Sequence, residues 1–124
     1  MKRVYIAGPY SRSAETGGEA NIIEIFENIR RGKEMAAHLF QAGFAPFCPF
    51  QDYDLILHGY IRNPVESFRE NSIAWLRCCD AVILLPGWEM SGGVKAELEI
   101  AKEMGIPVFK NITDTVSYFH EERR

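Results

Sequence analysis

The chain is poor in the residues that most often announce a mechanism. It has three cysteines in 124 residues, Cys48, Cys78 and Cys79. An odd number without framework spacing excludes a disulfide scaffold and suits a reducing compartment. Adjacent Cys78 and Cys79 are poorly placed to share a metal, and the simplest reading makes the cysteines small, partly buried fillers. The three histidines, His38, His58 and His120, match no metal-site spacing, so no metal and no other cofactor is expected. No Ser/His/Asp or Cys/His arrangement can be assembled, and neither a P-loop nor a G-x-G-x-x-G fingerprint is present. Basic residues are not in excess either. The net charge is -3 and the Lys and Arg are scattered, which argues against a nucleic-acid polymer as partner. A small phosphate-bearing ligand stays compatible, because one loop arginine and a few amides suffice to hold it. No apolar run approaches the ~20 residues of a membrane span. Val4-Tyr5-Ile6 leads through Ala7 into Gly8-Pro9 rather than into a signal-peptide pattern, so a cytoplasmic protein without a membrane partner is expected. Internal repeats, low-complexity tracts and a domain boundary are all lacking.

What is present describes one globular domain over 1–124. Hydrophobic residues make up 47% and charged residues 25%, enough to build a core and too apolar for disorder. Residues 3–7 are β-branched and aromatic, end at Gly8-Pro9, and predict a first strand. Residues 10–20 are rich in Ser, Gly and Glu and read as a loop. Asn21 and Glu24 have capping-box spacing, and Ile22, Ile25, Phe26, Ile29, Met35, Ala36, Leu39 and Phe40 recur with helical period. Gly43 closes that pattern, giving a helix from about 21 to 42. Phe44 to Cys48 is a short second strand whose Pro46 favours a sheet edge. Residues 49–65 read as one long connection, a feature that is often functional. A helix over about 66–78, a buried strand over 81–85, a helix over roughly 93–104 stopped by Gly105, a strand over 107–109 and a terminal helix over 113–120 complete the chain. Such alternation implies a parallel sheet of four to five strands with helices on both faces. The order 2-1-3-4 puts a switch point between the first and third strands, with the loops after them facing each other.

Three segments converge on that crevice. Gly8-Pro9-Tyr10-Ser11-Arg12-Ser13 offers amides, hydroxyls and a guanidinium suited to an anion, and would equally serve as a solvated polar loop. In Gly87-Trp88-Glu89-Met90-Ser91-Gly92-Gly93, Ser91 could cap the third helix and Gly92-Gly93 would let a ligand approach the backbone. Trp88 could stack on a flat ring or cover the core edge. Glu97 lies in the first turns of the helix, where the dipole favours a carboxylate. Glu99 is two positions on, so one of the two should face the crevice and the other solvent.

Taken together, Tyr5-Ile-Ala-Gly-Pro-Tyr10, the run from Asp80 to Ala101 and Gly105-Ile-Pro-Val108 resemble the nucleoside 2-deoxyribosyltransferase superfamily. The likeness is to its small branch with a Gly-Trp-x-x-Ser-x-Gly-Ala turn, of the DUF4406 type, and covers about residues 1–110. The resemblance implies a flavodoxin-like (Rossmann-like) three-layer α/β sandwich. It also implies cleavage of N-glycosidic bonds, by transfer of deoxyribose between bases or by hydrolysis of deoxynucleoside monophosphates. Glu97 falls at the position of the nucleophile and Tyr5 at that of the tyrosine that orients it. Residues 8–13 and 91–93 match segments that hold the sugar or its 5′-phosphate. Gln51, Asp52 and Tyr53 fall where some relatives recognise the base. A small nucleoside or nucleotide is thus the implied ligand, and a homo-oligomer, dimer or tetramer, the implied assembly.

Two positions depart from the pattern. Glu99 stands where many members have glycine. Ser72 stands where active members carry an aspartate assigned to protonating the leaving base, and a serine hydroxyl is a poor general acid. Asp52 or Asp54 could supply the proton instead; otherwise the domain binds a nucleotide without cleaving it.

Overall fold

The computed structural model describes residues 1–9 and 22–122, so the expected loop over 10–20 and the Asn21 cap lie outside the described residues. Four strands form one parallel sheet: β1 (Arg3–Ala7), β2 (Ala45–Phe47), β3 (Ala81–Leu84) and β4 (Val108–Phe109), in the order β2-β1-β3-β4. The α/β class and the 2-1-3-4 order expected from the sequence are what is found, with helices flanking the sheet. Tyr5 lies opposite Phe47 on one side and Val82 on the other, which fixes the register. Pro46 sits on the edge strand, where its missing N–H costs no second ladder. The start of β1 is pinned to β3 by Asp80, whose Oδ2 accepts from the Arg3 amide at 2.8 Å while its own amide donates to the Arg3 carbonyl.

Strand alternation divides the core in two. Val4, Ile6, Ile83, Leu39, Phe44, Phe50, Leu85 and Phe119 pack on one face. They lie beneath α1 (Ile22–Gln41) and α5 (Ile112–Glu122). Tyr5, Ala7, Val82, Leu84, Leu76, Val94 and Ala101 pack on the other. These meet α3 (Pro64–Leu76) and α4 (Gly92–Met104). Helices α1 and α4 end alike: Gly43 and Gly105 adopt left-handed φ of 93° and 71°, and the next amide reaches back five residues, Phe44 to Leu39 and Ile106 to Ala101. No helix among the described residues is long and apolar enough to cross a membrane.

The long connection needs a correction. Residues 49–65 do not run as a plain loop. They form a tight turn over Pro49–Gln51 and a helix, α2 (Asp52–His58). At seven residues the helix is too short for a hydrophobic period to reveal it. Asp52 is 4% exposed, whereas Leu55 and Leu57 are 44% and 78% exposed. The cysteines also divide: Cys79 is buried and Cys48 half-buried, but Cys78 is exposed and fills nothing. Burial pushes the Cys79 thiol up to about 11, so it stays a thiol at neutral pH.

Candidate active site

The site is built around the middle of β1. Period-two alternation sends Val4 and Ile6 into the all-apolar face and leaves Tyr5 on the other, fully buried. Its ring stacks on Phe47 at 5.6 Å, and Phe47 stacks on Trp75 at 5.1 Å, so the phenol is locked from the edge of the sheet inward. Its hydroxyl faces the Glu97 carboxyl and the Ser72 hydroxyl. Neither approach closes into a hydrogen bond of ordinary geometry, and the Tyr5 oxygen and Glu97 Oε2 are both buried without one. Burial pushes the Tyr5 hydroxyl far above its ordinary value, the Glu97 charge adds to the rise and Ser72 opposes it.

Glu97 arrives on α4. Ser91 caps that helix as expected, its Oγ accepting from the Val94 amide at 3.2 Å. Glu97 is half-buried and Glu99 exposed, so it is Glu97 that turns toward the sheet. The expected help from the helix dipole is not what governs it. Glu97 is the sixth residue of α4, beyond the first turn within which the dipole acts. Burial instead pushes its carboxyl up to about 7, with Tyr5 pulling it down and the charge of Asp52 adding to the rise.

Asp52 and Ser72 complete the cluster. Asp52 opens α2 just beyond the end of β2, within electrostatic reach of both Tyr5 and Glu97, while Asp54 is exposed. Ser72 comes from α3 and is 8% exposed. Gly32, in the middle of α1, positions this corner indirectly. A Cβ there would lie 2.6 Å from Cδ2 of Phe50, so only glycine lets Phe50 seat on the helix and fix the turn that leads into Asp52. The sequence signal for that seat was a lone glycine inside a helical pattern.

The other expected site residues fare differently. Gly8 follows β1, and a Cβ on it would lie 2.7 Å from Cδ1 of Leu85, so packing alone accounts for this glycine. Pro9 beside it is buried. Tyr10, Ser11, Arg12 and Ser13 lie outside the described residues. Gln51 closes the turn that precedes Asp52. Trp88 covers the edge of the core beside Val82 and Leu84, and Lys110 Nζ lies 5.9 Å over its ring, which favours core cover over a free stacking surface. Gly92 and Gly93 contrast with Gly8: among the described residues a Cβ at either would meet at most Ser91 Oγ, at 3.8 Å. Among the described residues no packing need explains that pair, and none of them crowds the opening of α4.

Tyr5, Ser72 and Glu97 thus face one another beside the switch point between β1 and β3, with Asp52 within electrostatic reach and the start of α4 next to them. Such a set can attack an electrophilic carbon and move a proton. A family model described as a domain of unknown function, DUF1937, matches residues 2–112. No curated protein matches the sequence. The match spans most of the chain, which therefore belongs to the DUF1937 family.

Proposed function

We propose that this member of the DUF1937 family cleaves the N-glycosidic bond of a small deoxynucleoside or its 5′-monophosphate, with Glu97 as nucleophile. The carrying observation is the Glu97 carboxyl itself. One of its oxygens is buried without a conventional hydrogen bond, beside an equally unsatisfied tyrosine, on a capped helix that opens with two unencumbered glycines. Leaving polar atoms so costs stability, which is the expected signature of a group kept for a substrate. Attack by the carboxylate on the anomeric carbon displaces the base and gives a glycosyl ester that water or a second base resolves. The oxocarbenium character of the transition state is stabilised by the same negative charge. Tyr5 holds the carboxyl in place, and Ser91 to Gly93 with residues 8–13 receive the sugar and its 5′-phosphate. Gln51 and Asp52 stand on the base side. A cytoplasmic dimer or tetramer belongs to the same reading, which follows the resemblance of Tyr5-Ile-Ala-Gly-Pro and the Asp80 to Ala101 run to the deoxyribosyltransferases.

One feature favours a second reading. Ser72 stands where a carboxyl would protonate the leaving base, as in a domain that binds a nucleotide and leaves it intact. Chromatography of deoxynucleosides and their 5′-monophosphates, incubated with wild type and Glu97→Ala, separates the two. Free base from wild type alone is the expected result. Equal release from the Glu97→Ala protein would sink the assignment, and ligand binding with no release at all would replace it with the binding module.

A further inference from the structure

We propose that Asp52 is the proton-transfer residue of this site, protonating the departing base and then deprotonating the incoming water, in place of the carboxyl missing at position 72. The inference rests on the glycosidase reading and adds the group that reading lacks.

Three placements carry it. Helix α2 is seated with its carboxylate inward: Asp52 is 4% exposed while Leu55 and Leu57 point to solvent. Burying Leu55 and Leu57 would have been favourable and burying an acid is costly, so the inward place of Asp52 is not set by the apolar burial of those two leucines. Next, the turn before Asp52 is packed, with Phe50 lodged over Gly32, so Asp52 follows a side chain seated on α1. Finally, Asp52 arrives from the β2 side and Glu97 from the β3 side, with Tyr5 between them on β1. A sugar attacked by Glu97 would carry its base toward the opposite wall.

Charge supports the same division of labour. Asp52 raises both Tyr5 and Glu97, so the two carboxyls belong to one buried set. Two carboxylates in such a set do not both ionise cheaply, and the pair keeps one proton between them. The Asp52 charge that raises Glu97 leaves the resting proton on Glu97; in the form that reacts it has passed to Asp52, and Glu97 is then a charged nucleophile facing a neutral acid. A Glu97 oxygen bonds to C1′ as the C1′–N bond breaks; its electron pair stays with the base, which takes the Asp52 proton. Water then attacks C1′ and gives its proton to the Asp52 carboxylate, and the C1′–O bond to Glu97 breaks, returning that electron pair to Glu97. The alternatives fail on position or chemistry. Asp54, Glu89 and Glu99 are exposed, and the Ser72 hydroxyl faces Tyr5 and has no useful acidity.

Substrates that differ in their need for the proton give the test. Wild type, Asp52→Asn, Asp54→Asn and Glu97→Ala are each given the deoxynucleoside that wild type cleaves and a 2-deoxyribofuranoside of 4-nitrophenol, whose leaving group departs without protonation. Asp52→Asn is expected to slow base release 10²–10⁴-fold, a usual span for loss of a general acid. It should still give a burst of nitrophenolate, and the glycosyl adduct on Glu97 should then accumulate in the intact-protein mass, because its hydrolysis lacks the base. Asp54→Asn should behave as wild type and Glu97→Ala should lose both reactions. Base release from Asp52→Asn at the wild-type rate overturns the proposal, as does equal loss of both reactions in a protein whose melting is unchanged. If Asp52→Asn does not fold, Asp52→Ser replaces it, with recovery of base release by added formate as the expected result and no recovery as the contrary one. A wild type that releases neither base nor nitrophenolate defeats the glycosidase reading itself, a different outcome from an active wild type indifferent to residue 52.

Discussion

The two faces of the sheet are built to different standards. Beneath α1 and α5, buried polar groups are few and served: the Thr115 hydroxyl, fully buried, donates to the Asn111 carbonyl at 2.9 Å. Beneath α3 and α4, β1 contributes a tyrosine whose hydroxyl has no conventional bond, beside a carboxyl with one oxygen in the same condition. The strand is the same; only the parity of the residue differs. One face is finished as a core, while the other gives up stability to keep polar atoms uncommitted. That contrast separates what holds the protein together from what it holds ready.

The sharpest way to break the comparison is to truncate one large side chain on each face. Glu97→Ala is expected to lower base release more than 10³-fold, as loss of an attacking group does, with denaturant midpoint unchanged or raised. Leu39→Ala, in the apolar face, is expected to cost about 2–5 kcal/mol while the activity per folded molecule stays at the wild-type level. Denaturant melts paired with activity, corrected for the folded fraction, read both. If Glu97→Ala were the one that unfolded the chain, the second face would be ordinary core.

The sequence exposed the first face more readily than the second. Helical period over α1, the β-branched strands and the caps at Gly43, Ser91 and Gly105 are local signals, so topology could be reasoned from them. Glu97 could be singled out because its turn and cap adjoin it in the chain. Asp52 could be named from the resemblance but not told apart from Asp54, because a seven-residue helix carries no apolar stripe that would show which of the two acids turns inward. Ser72 looked like a bare substitution; its place facing Tyr5 depends on packing α3 across the sheet, which spacing along the chain does not reveal. Trp88 and Gly8 show the limit from the other side: the sequence left Trp88 open between a ligand ring and the core edge, and the core contact of Trp88 and the Leu85 contact of Gly8 give each a packing role that spacing along the chain does not reveal.

The comparison sharpens with pH. Glu97 titrates at about 7 in the folded protein against an ordinary value of 4.5. Between those values the folded chain holds the extra proton, so its contribution to stability is full below about pH 4.5 and is lost as pH rises through 7. The loss amounts to at most about 3 kcal/mol, from the usual conversion of a shift into free energy. Glu97→Gln should therefore be more stable than wild type at pH 8, with the gap closing at pH 5, in thermal melts at constant ionic strength. Activity should instead rise toward pH 7 as the nucleophile gains its charge, and fall again once the pair has lost the proton that Asp52 gives to the base. A gap that does not change with pH would mean that Glu97 sits in water.

The smallest effect is the most diagnostic, because it removes one oxygen from each face. Thr115→Val deletes the hydroxyl that serves the Asn111 carbonyl, which keeps only a longer 3.4 Å contact from the Thr115 amide. It should cost about 1 kcal/mol and leave activity alone, since a made hydrogen bond is lost far from Glu97. Tyr5→Phe deletes an oxygen whose approach to Glu97 falls short of ordinary hydrogen-bond geometry, so its stability cost should be smaller than that of Thr115→Val. Its main cost should fall on function instead. Tyr5 pulls the Glu97 carboxyl down against burial and Asp52, so without the hydroxyl Glu97 should titrate higher. The rising limb of activity should then move to higher pH, with the largest deficit near neutrality. A uniform loss at every pH would leave Tyr5 as shape alone, and a melting loss as large as that of Thr115→Val would mean that its hydroxyl is bonded after all. Either result would erase the difference between the two faces at the residue where it is drawn most finely.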